Sequence, residues 1–503
     1  MRDGIMRLLL VSALVGIASA PSRAQVCAPV HVGPTGIPNL GLGLPYTATS
    51  FDDGVNGPRF YVGGNLASMM GSVAVLTPSG WQGVGVGVLG TVYALESLED
   101  GLGPGGGPSL YAGSTGGLHR WTGTQWTSIG PSPGWVFAVV MFDDGQGGGP
   151  SIHVVTDSKL LRRSPAGLWE QRGTLAFADP KRLVQRVVVF DEDGPGPLPP
   201  SLYIASGVNS ASPSATGGTV TPASGLVRWD GQAFFAMSDS FAGATSMTLP
   251  YQKWIKAAAV FDDGAGPALY ISGHASPGNT IARWNSPAQR WDPVGQLLTT
   301  SSWGTAYGLV VLNDSLGPVG QRLYAFTGNG ELFAHLQPAG TAMAWDGVSW
   351  TAVRGFAHQQ VTYTNYHLGA AAGVVGAARI PGLLIGAASV TVGFAACPRC
   401  RGDVNLDGVM NGADRAVISA NMGMFSKFWS GGDLDGNNVV DAADMALVCD
   451  GDFNCDGEPT VGDIFDFLNA WLAGDRRADF DLVGGLTVAD IFAFLNAWFA
   501  GCP

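Results

Sequence analysis

The 503-residue chain is poor in charge: Asp, Glu, Lys and Arg make up 13% of it, about half the share usual in globular proteins. A coiled coil, a charge-laced helical bundle and a solvated disordered chain all need more than that. Its 7 histidines are scattered singly, and there is no His-Glu-x-x-His, P-loop or Gly-x-Ser-x-Gly pattern, so the common local catalytic signatures are missing. Lys and Arg nowhere cluster to neutralise phosphates, so neither nucleic acid nor an anionic membrane surface is an expected partner. Past the first residues, no apolar run approaches the ~20 residues that span a bilayer.

Gly and Pro, by contrast, are abundant at 75 and 31 residues, which implies many turns with short aromatic-rich strands between them and favours an all-β array. Net charge is −13 and is concentrated: residues 398–503 hold 17 Asp and Glu against 6 Lys and Arg. Such an acidic block suits a divalent cation. At the other end, Arg2 and Arg7 precede an apolar run from Leu8 to Ile17 and a Ser22-Arg23-Ala24 site. Residues 1–24 therefore read as a cleaved signal peptide, with export to the periplasm or beyond and no transmembrane segment in the mature chain. Six cysteines remain (Cys27, Cys397, Cys400, Cys449, Cys455 and Cys502), and an oxidising compartment favours pairing them as disulfides. Fifteen connectivities are open.

One phrase recurs through residues 25–396. Phe51-Asp52-Asp53-Gly54 leads to Phe60-Tyr61-Val62-Gly63, and Leu98-Glu99-Asp100-Gly101 leads to Leu110-Tyr111-Ala112-Gly113. Further copies begin at Phe142, Phe190, Phe261 and, in worn form, Leu312, at intervals of 44 to 71 residues. Most copies end in a Trp-rich half, as in Arg120-Trp121-Thr122-Gly123 with Trp126 or Arg283-Trp284-Asn285 with Trp291. Acid-Gly turns between apolar runs are hairpin grammar, and four short strands in about 45 to 50 residues is the period of a β-propeller blade. Six copies are legible. Seven blades are favoured over six, the seventh formed by the stretch after His358, with Leu383-Leu384-Ile385-Gly386, and closed by an N-terminal strand near Val30 to Val32. A β-helix or a string of sandwiches is the alternative. The Asp pairs read as turn chemistry and the Trp residues as packing, with a rim of carboxylates and sugar-stacking platforms as the competing readings. The 209–224 insertion is expected as an exposed loop.

From Gly402 the pattern changes. Asp403, Asn405, Asp407, Asn411 and Asp414 put side-chain oxygens at positions 1, 3, 5, 9 and 12 of a loop, with Gly408 at the sharp turn and the Val409 carbonyl at position 7. This is the spacing by which oxygen donors surround Ca²⁺. A second loop offers Asp433, Asp435, Asn437, Asp441 and Asp444, with Asn438 in the glycine position, and a third Asp452, Asn454, Asp456, Thr460 and Asp463. The fourth keeps Asp479, Asp481, Thr487 and Asp490, but its position 5 is Val483, which cannot ligate. All candidate ligands are oxygens, so zinc is disfavoured. Two near-duplicate helices follow the last loops, Ile464–Ala473 and Ile491–Ala500, each with one broad apolar face and a terminal Gly; they are expected to face each other. With so small a core, metal supplies much of the folding free energy.

These loops with their helices resemble dockerin type I repeats, a form of the EF-hand with Asp at position 12. The chain as a whole is similar to secreted repeat proteins of the planctomycete type. The resemblance implies Ca²⁺ binding by two loop pairs, at 397–450 and 451–503, and docking of secreted polysaccharide-degrading or polysaccharide-binding proteins onto cohesins, the partner being read through loop positions 10 and 11. Here those are Gly412/Ala413, Ala442/Ala443, Val461/Gly462 and Val488/Ala489, without the Ser/Thr pair common in that family. The expectation is a mainly β protein, a propeller with a small all-α calcium-binding tail, monomeric, secreted or periplasmic, acting as a non-catalytic binding or scaffold protein toward a cohesin-like partner or an extracellular polysaccharide. The competing expectation is a glycoside hydrolase or lyase, which needs two carboxylates about 5 to 9 Å apart in a central funnel.

Overall fold

The computed structural model describes residues 30–36, 44–66, 71–77, 80–130, 134–177, 186–214, 218–237, 255–273, 281–295, 297–299, 306–313, 319–327, 332–334, 337–338, 342–352, 370–375, 380–386, 391–396, 400, 402–404, 410–424, 431–435, 439–456, 458–481, 483 and 485–502. The expected signal peptide, Cys27 and Cys397 lie outside them.

The fold is mainly β and propeller-like, and each repeat copy is one antiparallel four-stranded meander. Blade 1 runs Leu44–Asp52, Pro58–Asn65, Val73–Thr77, Gly80–Gly83, and blade 2 runs Val92–Leu98, Ser109–Ser114, Gly117–Trp121, Trp126–Ser128. Blades 3, 4, 5 and 6 begin with Val136–Phe142, Arg186–Phe190, Ile255–Asp262 and Ala306–Leu312. The first strands of successive blades touch one another, which puts them at the axis.

Six blades carry the repeat, and this corrects the count of seven. The sheet expected as a seventh is different in kind: Ala370–Val375, Ile380–Gly386 and Thr391–Ala396 pair with Val30–Gly36 from the other end of the chain. Its residues 370–396 contain no Asp, Tyr or Trp, so it lacks the turn acid and ring pair that define a blade here. It fills the ring between blades 6 and 1, where Ala370–Val375 meets the first strand of each. A second correction concerns the insertion after blade 4's second strand. Val208–Pro213 adds to the free edge of Trp169–Phe177 in blade 3 and is followed by Thr221–Pro222, so one sheet has six strands. Covering an exposed edge satisfies its backbone groups.

The repeat's residues divide the work. The first acid of four of the turns accepts a backbone N–H two residues on: Asp52 from Gly54 at 2.9 Å, Asp143 from Gly145 at 3.0 Å, Asp191 from Asp193 at 3.3 Å and Asp262 from Gly264 at 2.9 Å. The second acid reaches the buried tyrosine of the next strand: the Tyr270 hydroxyl donates to Asp263 at 2.8 Å, and Tyr203 donates likewise to Glu192. An arginine of the third strand completes the group, Arg283 lying 2.9 Å from Asp263 and Arg228 3.5 Å from Glu192. A buried hydroxyl and carboxylate thus satisfy each other inside every such blade. In blade 3 the tyrosine is replaced by His153, which with Asp144, Arg162 and Arg172 forms a buried ion cluster.

Trp residues face each other across the third and fourth strands, Trp284 with Trp291 at 4.9 Å and Trp345 with Trp350 at 5.3 Å. Trp126 and Trp350 donate their indole N–H to the Val84 and Val294 carbonyls at the end of the preceding blade, both at 3.0 Å. These rings are packing residues between blades. In blades 1 and 2 the Gly two residues past the tyrosine serves the same joint: a Cβ on Gly63 would lie 2.6 Å from Val92 Cγ1 of the next blade, and one on Gly113 2.7 Å from Val136 Cγ1.

Candidate metal centre

The tail holds four helices: α1 (Gly412–Asn421), α2 (Ala442–Met445), α3 (Val461–Leu472) and α4 (Val488–Ala500). Each follows one acidic loop, and the loop's position 9 is the helix N-cap. Asn411, Asp441, Thr460 and Thr487 accept the N–H two residues on, and the acid at position 12 closes a capping box on each cap residue. The first turn of a helix has orphan amides, and this pair of oxygens satisfies two of them.

The position-12 acids do more than cap. Asp414, Asp444, Asp463 and Asp490 are all fully buried. One oxygen of each takes the amide of position 9, at 2.7 to 2.9 Å. The other reaches back to the loop's beginning, to the amides of Val404 (2.8 Å), Leu434 (2.7 Å), Asn454 (2.9 Å) and Asp481 (3.1 Å). One carboxylate therefore clamps each loop shut across its full length. Burial pushes the Asp490 carboxyl up, but the amides of Thr487, Asp481 and Phe480 outweigh it and hold the group below the usual Asp range.

Clamping brings acids together. Ligand atoms of Asp433, Asp435 and Asp444 lie within 4.8 Å of one another, as do those of Asp452, Asp456 and Asp463, and those of Asp479, Asp481 and Asp490. The first loop places Asp403, Asn411 and Asp414 in buried positions, while its Asn405, Asp407 and Val409, like Asn437 of the second, lie outside the described residues. The position-9 side chains of Asn411, Asp441, Thr460 and Thr487 accept the helix amides two residues on. The fourth loop, weakest in sequence, converges like the others. Val483 is 69% exposed and stands aside, and the Asp479 Oδ1 atom is buried with no hydrogen-bond partner. The three acids brought together in the fourth loop are the ones the sequence retains at positions 1, 3 and 12, whereas the third loop's group uses positions 1, 5 and 12.

Each pair of like charges about 4 Å apart costs roughly 1 kcal/mol in water and about 4 kcal/mol at a protein surface. Three carboxylates in that space fit a hard cation with oxygen ligands, and the unpartnered Asp479 oxygen is the kind of atom such an ion satisfies.

The two last loops are built as a pair. Phe467 of α3 and Phe494 of α4 stack at 4.3 Å and 7°, the facing expected from their sequences. Disulfides Cys400–Cys455 and Cys449–Cys502 tie the first half of the tail to the second. One hydrophobic cluster runs from Phe60, Val62 and Trp81 of blade 1 into Val404, Met410 and Ile418 of the tail, so body and tail share a core. Outward, α3 exposes Val461, Phe465 and Leu472, and α4 exposes Val488, Phe492 and Phe499 at the same helix positions. No helix among the described residues is long and apolar enough to cross a membrane.

No protein-family model matches the chain, and no curated protein matches it. Among solved structures, the chain is similar to the extracellular domain of a one-component system from B. thetaiotaomicron (10% identity, TM-score 0.43), covering 75% of this chain and 40% of that one. It is also similar to BBS1N in complex with ARL6DN (11%, 0.43, 74% of this chain and 98% of that one). A third is a streptogramin B lyase (10%, 0.40, 73% and 96%). The chain thus spans about 40% of the length of the first of these.

Proposed function

We propose that this is a secreted or periplasmic, calcium-binding, non-catalytic binding protein, in which the propeller presents an interaction surface and the tail docks to a protein partner. The observation that carries it is the fourfold clamp: a buried position-12 acid that both caps a helix and draws acidic side chains together, in a tail whose disulfides suit an oxidising compartment. Calcium supplies the positive charge that relieves repulsion within each group. Asp433, Asp435 and Asp444, then Asp452, Asp456 and Asp463, then Asp479, Asp481 and Asp490 would hold it, with Asp403 and Asp414 serving the first loop.

Docking falls to α3 and α4. Their matched apolar rows, Val461, Phe465 and Leu472 beside Val488, Phe492 and Phe499, are exposed while the opposite faces pack on each other. Exposed large apolar groups in register on two helices fit a protein partner. The rows include the position-10 residues Val461 and Val488, where the dockerin resemblance places partner recognition, so a cohesin-like partner is the proposal. The test is a calcium-dependent pull-down with the whole chain: retention of a partner that is lost with chelator and with Phe465→Asp/Phe492→Asp supports docking, and retention indifferent to both rejects it.

A further inference from the structure

Among the described residues the pairing register of the first strand skips one residue in five blades: Tyr46 between Pro45 and Thr47, Tyr93 between Val92 and Ala94, Phe137 between Val136 and Ala138, Lys256 between Ile255 and Ala257, and Tyr307 between Ala306 and Gly308. A bulge of this kind leaves its residue out of the ladder and re-aims the side chain. Because the first strands meet at the axis, bulges at one level bring the skipped residues to one end of the central channel, the rings of Tyr46, Tyr93 and Phe137 among them. Tyr46 stacks on Tyr93 at 5.4 Å and 27°, and Tyr93 lies near-parallel to Trp135 at 6.2 Å and 18°. Phe137 packs 4.9 Å from Tyr93. Phe137 is buried and Trp135 is 44% exposed, so the group has a fixed floor and an open face.

Three residues along from Tyr93, about 10 Å deeper at strand rise, stands Glu96. It pairs at 3.4 Å with Arg186 of blade 4's first strand, reaching past the first strand of blade 3. About a third of each side chain remains exposed although both sit on axial strands, so water reaches them through the channel. The pair is mutually neutralising, and nothing in it selects for net charge.

We propose that this aromatic end of the channel is a binding site for a neutral saccharide. A flat aromatic face carries negative π density, which attracts the C–H bonds on one face of a pyranose ring. The ring's hydroxyl edge needs hydrogen-bond partners, which the charged Glu96–Arg186 pair would supply. A ligand of that kind, apolar on one face and polar at its edge, matches a mainly apolar site with a few convergent polar groups.

The inference rests on the reading of the propeller as a binding body and names its ligand. The whole chain is run through native gels containing xylan, laminarin or hydroxyethylcellulose, with and without chelator, beside a calcium titration of the same sample. At least one polysaccharide should retard the protein, chelator should leave the retardation in place, Trp135→Ala should abolish it and Trp135→Phe, which keeps a ring, should retain part of it. No retardation by any of the three, or equal retardation of the wild type, Trp135→Ala and Tyr46→Ala, overturns the inference. Calcium heat without retardation sinks the saccharide site alone, whereas retardation without calcium heat sinks the calcium reading alone.

Discussion

Trp471 and Trp498 hold each other's loops. The Trp471 indole on α3 donates to the carbonyl of Thr487, the cap of α4, at 2.9 Å, and the Trp498 indole on α4 donates to the carbonyl of Thr460, the cap of α3, at 2.7 Å. Each helix therefore fixes position 9 of the other's acidic loop, and the stacked Phe467 and Phe494 lie between them. The third and fourth loops are one mechanical unit.

That reciprocity makes the two loops cooperative. Trp471→Phe keeps the apolar contact and removes one hydrogen bond, worth about 0.5–1.5 kcal/mol. It should weaken calcium binding at the fourth loop as well as the third, read by calorimetry as a loss of about two- to tenfold in affinity with unchanged stoichiometry. A loss confined to one site would separate the loops.

The clamp and the ligand roles can be told apart by position. Asp463→Ala removes the capping-box partner of Thr460 and the loop's closure, so melting should fall both in calcium and in chelator, by about 1–3 kcal/mol for the amides left unsatisfied. Asp456 is exposed and lies at position 5 of the same loop. Asp456→Ala should lower the melting temperature in calcium and leave it unchanged in chelator. Equal effects of the two variants under both conditions would contradict this division.

Blade 3 carries a pH dependence through a buried histidine, as blade 2 does through His119, which burial also pushes down. Burial pushes the His153 imidazole below its ordinary value, against the pull of the Ser151 carbonyl and Asp144, while Arg162 and Arg172 add positive charge nearby. The unfolded chain takes up this proton as pH falls below about 6.5 and the folded chain does not, so stability is present above that pH and declines as pH drops toward the folded value. Urea melts from pH 7.5 to 5 should show this decline, and His153→Tyr, which restores the residue of the other blades, should make it shallower, leaving the share of His119. An unchanged slope in the variant would reject the assignment.

At the blade joints, Gly63→Ala places a methyl group 2.6 Å from Val92 Cγ1. Overpacking of this sort costs about 1–3 kcal/mol, measurable as a lower denaturation midpoint, and Val92→Ala should recover part of it. No recovery in the double variant would remove the steric explanation.

Much of this was legible in the sequence, because turns and hairpins are local. Asp52-Asp53-Gly54 marks a turn, and Trp284 and Trp291 mark a hairpin, since the residues that make each contact are near one another in the chain. The facing of α3 and α4 follows from an apolar stripe at helical spacing. The acid–tyrosine–arginine groups were not read, because Asp263, Tyr270 and Arg283 meet only once three strands are in register. Nor were the bulges that gather Tyr46, Tyr93 and Phe137, since one skipped residue leaves no mark in an apolar run. The cysteine pairing was open for the same reason: Cys400 and Cys455 are 55 residues apart and are joined by the packing of two half-modules. The blade count was overdrawn because an apolar strand pattern in 370–396 resembles a blade even without the turn acid and the tryptophans.

The most direct measurement is titration calorimetry of Ca²⁺ into the full chain after chelator stripping and desalting. The account predicts saturable heat with more than one ion per chain, and loss of the third-loop component in Asp452→Ala. Absence of any calcium heat, with the tail's melting unmoved by chelator, would contradict it.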